Sequence, residues 1–356
     1  MLVPGLTRAG RTNPGFLMFR ALSPRLPLAA FAVVLATGAP CAWAEDAGQL
    51  VVYNGQDEGP VEAAIAAFEK KTGIKVAMRK AGSPAFANQI AQEGANSPAD
   101  VFYAEYTSPL AVLKGKGLLG QVPADTLAQI PARFSDRDGT WLGVTARSQV
   151  LVYNVKAVPQ DSLPTTVLDF AKPEWKDRVA FNPKSAAFLE QLTALAKVEG
   201  HDKAKAWLEG LKNNAKAYPS NMAMIMAVER GEVPVAIVGD NYWFAVAKEK
   251  GGDDKMTSRI HYIGHKDPGA QITVSGATML ESAPHKKEAE QFLAFLVSPE
   301  GQQAIAATAA DYPLRSGVAS PFAVKPFTEL DPSPVTPSEV GTARDGLDLE
   351  REVGLN

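Results

Sequence analysis

The chain has 356 residues, of which 46% are hydrophobic and 21% charged. That is the make-up of a globular protein of about two domains. A net charge of −3 argues against a nucleic-acid partner, one cysteine excludes a disulfide scaffold and a thiolate zinc site, and 29 dispersed glycines and 26 prolines exclude collagen-like or low-complexity architecture.

In chain order, Arg20 and Arg25 precede an uncharged apolar run over 26–39, and Ala42-Trp-Ala44 gives a small-x-small cleavage site before Glu45. Residues 1–44 therefore read as a secretory signal peptide, with Met18 as an alternative start. The run is shorter than the about 20 residues of a membrane span. Cys41 follows Gly-Ala-Pro, a poor match to a lipoprotein site. Cleavage removes four arginines and leaves 312 residues, with 32 basic against 39 acidic side chains, a net charge of −7 and no cysteine.

The remainder alternates strand and helix. Leu50-Val-Val-Tyr53 reads as a buried strand, 54–59 as a loop, and Pro60 as a first helical residue. Val61, Ala64, Ile65 and Phe68 form a helical stripe that Gly73 ends, and 74–78 is the next strand. This βαβ unit implies a parallel sheet with a right-handed crossover. Further strands are expected at 100–104, 148–153, 233–238 and 271–274, and helices at 204–211, 221–230 and 286–297. The tail from 321 to 356 is proline-rich, then acidic and helical. The fold class is α/β, with helices on both faces of mainly parallel sheets.

Nucleotide and catalytic signatures are missing: there is no P-loop, dinucleotide fingerprint, nucleophile elbow or H-E-x-x-H. His261 and His265 are four apart, but beside Gly264 and Pro268 rather than on a helix. Three polar clusters each follow a predicted strand: Asp57 and Glu58, Glu105 and Tyr106, and Asp240, Asn241 and Tyr242. Ligands of open α/β sheets bind outside the carboxyl ends of strands. Ordinary polar loops account for the clusters equally well on topology alone. Carboxylates and a phenol are hard donors that suit hard cations, and ferric ion is the biological cation best able to displace a phenolic proton. On residue types alone, Tyr242-Trp243-Phe244 reads first as an aromatic cap on a core.

The segments Val52-Tyr-Asn-Gly-Gln56, Pro98–Tyr103 with Glu105, Arg147–Tyr153, Ala187–Gln191, Ala227–Pro234, Asn241-Tyr-Trp243, Ala247–Gly251, Asp267–Ala270 and Tyr312-Pro-Leu-Arg315 occur in one order along the mature chain. In these the sequence resembles the periplasmic ferric-ion-binding proteins, solute receptors of bacterial ABC iron importers. The resemblance implies a two-lobe clamshell, each lobe a mainly parallel sheet flanked by helices, joined by two hinge strands. Residues 46–149 plus 272–322 would form the N-terminal lobe, and 150–271 plus 323–356 the C-terminal lobe. The family's ligands are typically His and Glu from one lobe and two adjacent Tyr from the other, with an anion completing the sphere. Carried over, Glu105 is the Glu and Tyr242 the second Tyr, while Asp57 stands at the His position and Asn241 at the first Tyr position. Asp keeps a hard, anionic donor; Asn loses a phenolate. Tyr106 compensates only if the chain has already turned, because side chains alternate along a strand.

The anion, phosphate or carbonate, maps to Ser185, Ala186, Ala187 and Asn221, with Arg147 as a further anion-binding residue. Arg147 and Arg315 match family arginines. The expected protein is a monomeric, non-enzymatic periplasmic receptor that binds Fe³⁺ and serves an ABC permease and its ATPase. The alternative cargo is a phosphorylated small molecule, a phosphonate or chelated iron. A hydrolase using Asp57 and Glu105 as paired carboxylates has no nucleophile or base motif behind it.

Overall fold

A computed structural model describes residues 49–355. The signal-peptide segment 1–44 and Cys41 lie outside them. The strands are β1 (Leu50–Asn54), β2 (Val76–Lys80), β3 (Val101–Ala104), β4 (Leu142–Asn154), β5 (Val179–Phe181), β6 (Lys216–Ala217), β7 (Val235–Gly239), β8 (Ser258–His261), β9 (Ile272–Met279) and β10 (Tyr312–Pro313). Their hydrogen-bonded order is β2-β1-β3-β9-β4-β7-β5-β6, with β8 and β10 also on β4.

The expected βαβ unit is present. Helix Glu58–Thr72 joins β1 to a parallel β2, burying Val61, Ala64 and Phe68. It starts two residues before Pro60, with Asp57 as N-cap. Gly73 ends it in the left-handed region at φ 77°, its N–H donating to the Glu69 carbonyl at 2.8 Å. The pairs β1–β3, β5–β6 and β5–β7 are parallel too. The strands at the junction are antiparallel to their neighbours: β9 to β3 and β4, and β4 to β7, β8 and β10. Each sheet is thus parallel towards its outer edge and mixed where the chain crosses over.

β4 organises the molecule. Its residues 142–148 pair with β9, and residues 149–153 pair with β7. All thirteen of its residues are buried. One sheet (β1, β2, β3, β9, β10 and the first half of β4) packs on Phe68, Phe292 and Phe295, with Phe68 meeting Phe292 edge-on at 5.1 Å between ring centroids. The other (β5–β8 and the second half of β4) packs on Phe181, Phe188 and Trp207. The tail touches both halves. Phe327 packs on Phe134 and Tyr312, Phe322 on Phe244, and helix Arg344–Glu352 on helices Ala186–Glu199 and His201–Asn214.

Candidate functional site

The three polar clusters follow β1, β3 and β7, at the carboxyl ends of those strands. Asp57 caps helix Glu58–Thr72 by backbone only; its carboxylate makes no capping hydrogen bond and is exposed. The loop before it is fixed by Gln56 N–H to Asn54 Oδ1 at 2.9 Å and Asp57 N–H to Gln56 Oε1 at 2.8 Å.

Glu105 follows β3 directly, and residues 105–107 bend out of the strand. Tyr106 is therefore not on a continued strand. Its ring lies beneath the Arg147 guanidinium, 5.2 Å from the centroid. Its hydroxyl donates to that of Tyr242, which also accepts from the Asn221 amide. Tyr242 sits in the first turn of helix Asp240–Glu249, after β7. At Gly239, the N-cap, a Cβ would sit 2.7 Å from Asn241 Oδ1 and 3.4 Å from the Tyr242 ring, so a larger residue there would displace the Asn241 side chain. Asn241 Oδ1 is itself buried without a partner.

Arg147, on β4, is 3% exposed and holds these groups together. Nη2 donates to the Glu105 carbonyl, Nη1 lies 3.6 Å from Glu105 Oε1, and Nε has no partner. Burial works against its charge, but the negative charges of Asp311 and Glu105 outweigh that and hold it firmly protonated. Burial pushes the Glu105 carboxyl up, against the pull of Arg147. Burial also raises Tyr106, well above the usual phenol value, and Tyr242; the Tyr106 and Asn221 hydrogen bonds and Arg147 draw Tyr242 back. Without a cation, the pocket favours neutral phenols. A highly charged cation reverses that balance by stabilising the phenolates.

Asp57, Asn241, Tyr242 and Asp311 line one cleft of about 590 Å³, and Asp57 and Glu105 line an adjoining one of about 400 Å³. Among the described residues no trio of His, Cys, Asp or Glu forms a metal cluster, so a metal in this cleft needs the phenols. His261 ends β8, and His265 lies in a loop at φ 61°.

The residues expected to meet an anion form a neighbouring group. Ser185 caps helix Ala186–Glu199, whose first N–H groups are free of helical partners. Asn221 Nδ2 lies 3.4 Å from Ser185 Oγ, and Asn221 Oδ1 accepts from Asn182 at 3.1 Å. Arg315 is elsewhere, donating to Gln129 Oε1 at 2.9 Å.

Three contributors were missed from sequence. Ser83 Oγ donates to the Gly55 carbonyl at 3.0 Å and accepts from Glu105 N–H at 2.9 Å, tying the Asp57 loop to Glu105; nothing in the sequence signals this. Buried Asp311 accepts from Thr145 Oγ1 at 2.7 Å and faces Arg147; its place beside the Tyr312-Pro-Leu-Arg315 match was the available signal. Glu190, 1% exposed, leaves helix Ala186–Glu199 to accept from Thr107 and Ser108 at the start of helix Ser108–Lys114, joining the two halves.

Residues 63–330 match the family model of the bacterial extracellular solute-binding proteins. The chain is 39% identical over 310 residues to the major ferric iron-binding protein of Neisseria meningitidis, covering 86% of this chain and 93% of that one. It is 34% identical over 340 residues to the Fe(3+)-binding periplasmic protein of Serratia marcescens, covering 95% and 99%. The structure of iron-bound HitA from Pseudomonas aeruginosa superposes with a TM-score of 0.82 at 45% identity, covering 86% of this chain and 99% of that one. With its two sheets joined through β4 and β9 and its polar cleft between them, the chain belongs to the bacterial extracellular solute-binding proteins and has their two-lobe fold.

Proposed function

We propose that the protein is the periplasmic receptor of an ABC importer, that its cargo is ferric ion, and that it delivers this cargo to a membrane permease and its ATPase without catalysing a reaction. One observation carries the reading: Glu105 and Tyr106 from the end of β3 and Tyr242 from the helix after β7 converge on buried Arg147, with Asp57 on the same cleft. Those four side chains offer two carboxylates and two phenols, the hard donor set that a trivalent cation selects. Asn241 contributes at most a neutral amide oxygen. Ser185, Ala186, Ala187 and Asn221 are the residues assigned to an accompanying anion.

The lobes are read as 46–149 plus 272–322 and 150–271 plus 323–356, with export directed by residues 1–44. Cargo that bridges the lobes favours the closed form by its greater affinity for both surfaces together than for either alone.

The test is to load the mature protein with ferric salt and phosphate, desalt it, and record the visible spectrum and retained iron. A phenolate-to-iron absorption band is expected. Tyr242→Phe should lose at least half of it and retain iron roughly 10–100-fold less tightly, the scale on which removing a metal-site group acts. Absence of both band and iron overturns the ferric reading. Thermal stabilisation by a sugar phosphate but not by iron replaces it with a phosphorylated cargo.

A further inference from the structure

We infer that Asp311 is a further ligand to the ferric ion, its Oδ1 presented to the cleft from the strands that join the two sheets. The inference rests on the ferric reading above and adds one residue to the same site.

Three observations lead to it. First, Asp311 is 4% exposed, yet it lines the cleft of about 590 Å³ together with Asp57, Asn241 and Tyr242. Glu105 lines the adjoining cleft, and its Oε1 and backbone carbonyl both face Arg147.

Second, the Asp311 carboxylate is held in place but not satisfied. Oδ2 accepts from Thr145 Oγ1 at 2.7 Å. Thr145 Oγ1 in turn meets Ser275 Oγ at 2.6 Å, where the two residues pair across β4 and β9. A carboxylate only accepts, so Thr145 gives its proton to Asp311 and Ser275 gives its own to Thr145, which fixes the direction of the side chain. Oδ1 makes no hydrogen bond among the described residues and is not sealed inside, which leaves it on the cleft. Among the described residues no cationic nitrogen lies within 4.0 Å of this carboxylate. Other buried carboxylates are better provided for. Asp136 has Lys114 at 2.6 Å, Glu229 has Lys250 at 2.6 Å and two backbone N–H donors, and Asp100 has His285 and the Val51 N–H. Burying a charge without a close cation is costly, and coordinating a metal ion removes that cost.

Third, the donors face each other across the gap. Asp57 follows β1 and Asp311 precedes β10, both on the sheet that packs on Phe68, whereas Asn241 and Tyr242 belong to the helix after β7. Asn241 Oδ1 is a buried oxygen with no partner. Two carboxylates on one side, with a phenol and an amide oxygen on the other, are hard oxygen donors of the kind a trivalent cation selects.

The test loads the mature protein from ferric nitrilotriacetate, desalts it, and ranks iron retention by competition with citrate. Asp311→Asn keeps the shape of the side chain and removes its charge. It should give up iron roughly 10–100-fold more readily, the scale for losing even a group that only supports a ligand. Its visible band should also move to longer wavelength, because iron with one anionic oxygen fewer draws electrons from a phenolate more easily. Circular dichroism and thermal melts check that the variant is folded. If it is not, anomalous diffraction at the iron edge from loaded wild-type crystals decides, with an Asp311 oxygen bonded to iron as the expected result. Retention and band equal to the wild type's overturn the inference. So does weaker retention with the band unmoved, which marks a structural role, and so does bound iron that Asp311 does not touch. Each of these leaves the ferric reading standing; a wild type that holds no iron refutes that reading itself.

Discussion

Arg147 is a cation in a place where a cation is to be caught, and its surroundings explain why. Glu105 is a half-buried carboxyl and Asp311 a buried one, and nothing else of opposite charge approaches them as directly. Removing one partner of a buried pair costs about 3–5 kcal/mol, because the other charge remains. Arg147→Met is expected to lose about that much stability at pH 7, measured by urea unfolding. The loss should shrink at pH 5, where the two orphaned carboxyls can take up protons. At this scale the sequence was partly legible. Glu105 and Tyr242 stand directly after apolar runs that read as strands, so their position at strand ends followed. Tyr106 did not, because period-two alternation assigns it to the far face, and no glycine or proline at 105–107 announces the bend. Asp57 and Asn241 stood in polar clusters after expected strands; the resemblance set them at ligand positions, and chemistry gave the consequences.

At the level of elements, the loop after β1 and the turn after β3 form one unit because Ser83 holds both. A Cβ on Gly55 would come within 2.3 Å of Ser83 Oγ, so glycine there is what lets the hydroxyl approach. Ser83→Ala deletes two hydrogen bonds, each worth about 0.5–1.5 kcal/mol. It should lower stability by about 2 kcal/mol in denaturant titration. Iron retention should weaken as well, since the Asp57 loop is then no longer registered against Glu105. The elements themselves were legible where an apolar run or stripe was unbroken: β1, β3, β7 and helix Lys286–Leu296, whose buried Ala289, Phe292, Leu293 and Leu296 are the expected stripe. The first half of β4 was not. Thr145 and Arg147 interrupt its apolar pattern, yet both are buried. The short β5, β6, β8 and β10 offer too few residues for a period to register.

Across the whole molecule, the contact of Glu190 with Thr107 and Ser108 makes the joined state sensitive to acidity. Burial pushes the Glu190 carboxyl up to about 7, against a usual value near 4.3. Below about pH 4 the group is neutral whether the chain is folded or not. Between there and pH 7 the folded chain keeps a proton that the unfolded chain has lost. Stability from this group is therefore full at low pH and is lost as pH rises through about 7, by about 3 kcal/mol at most. Glu190→Gln should flatten the stability profile between pH 5 and 8, measured as unfolding midpoints across that range, and should gain most at the alkaline end. Some slope should remain, because burial pushes Asp240 up to about 7 as well.

β4 hands its ladder from β9 to β7 between Ser148 and Gln149, without leaving the interior. Neither half of the receptor owns a complete sheet. A gene fragment cut at that handover would yield two proteins, each with a raw edge where its central rib had been, and each prone to stick to itself. The halves must therefore fold and melt as one cooperative body, and whatever stitches the gap shut from the cleft side protects the far faces of both.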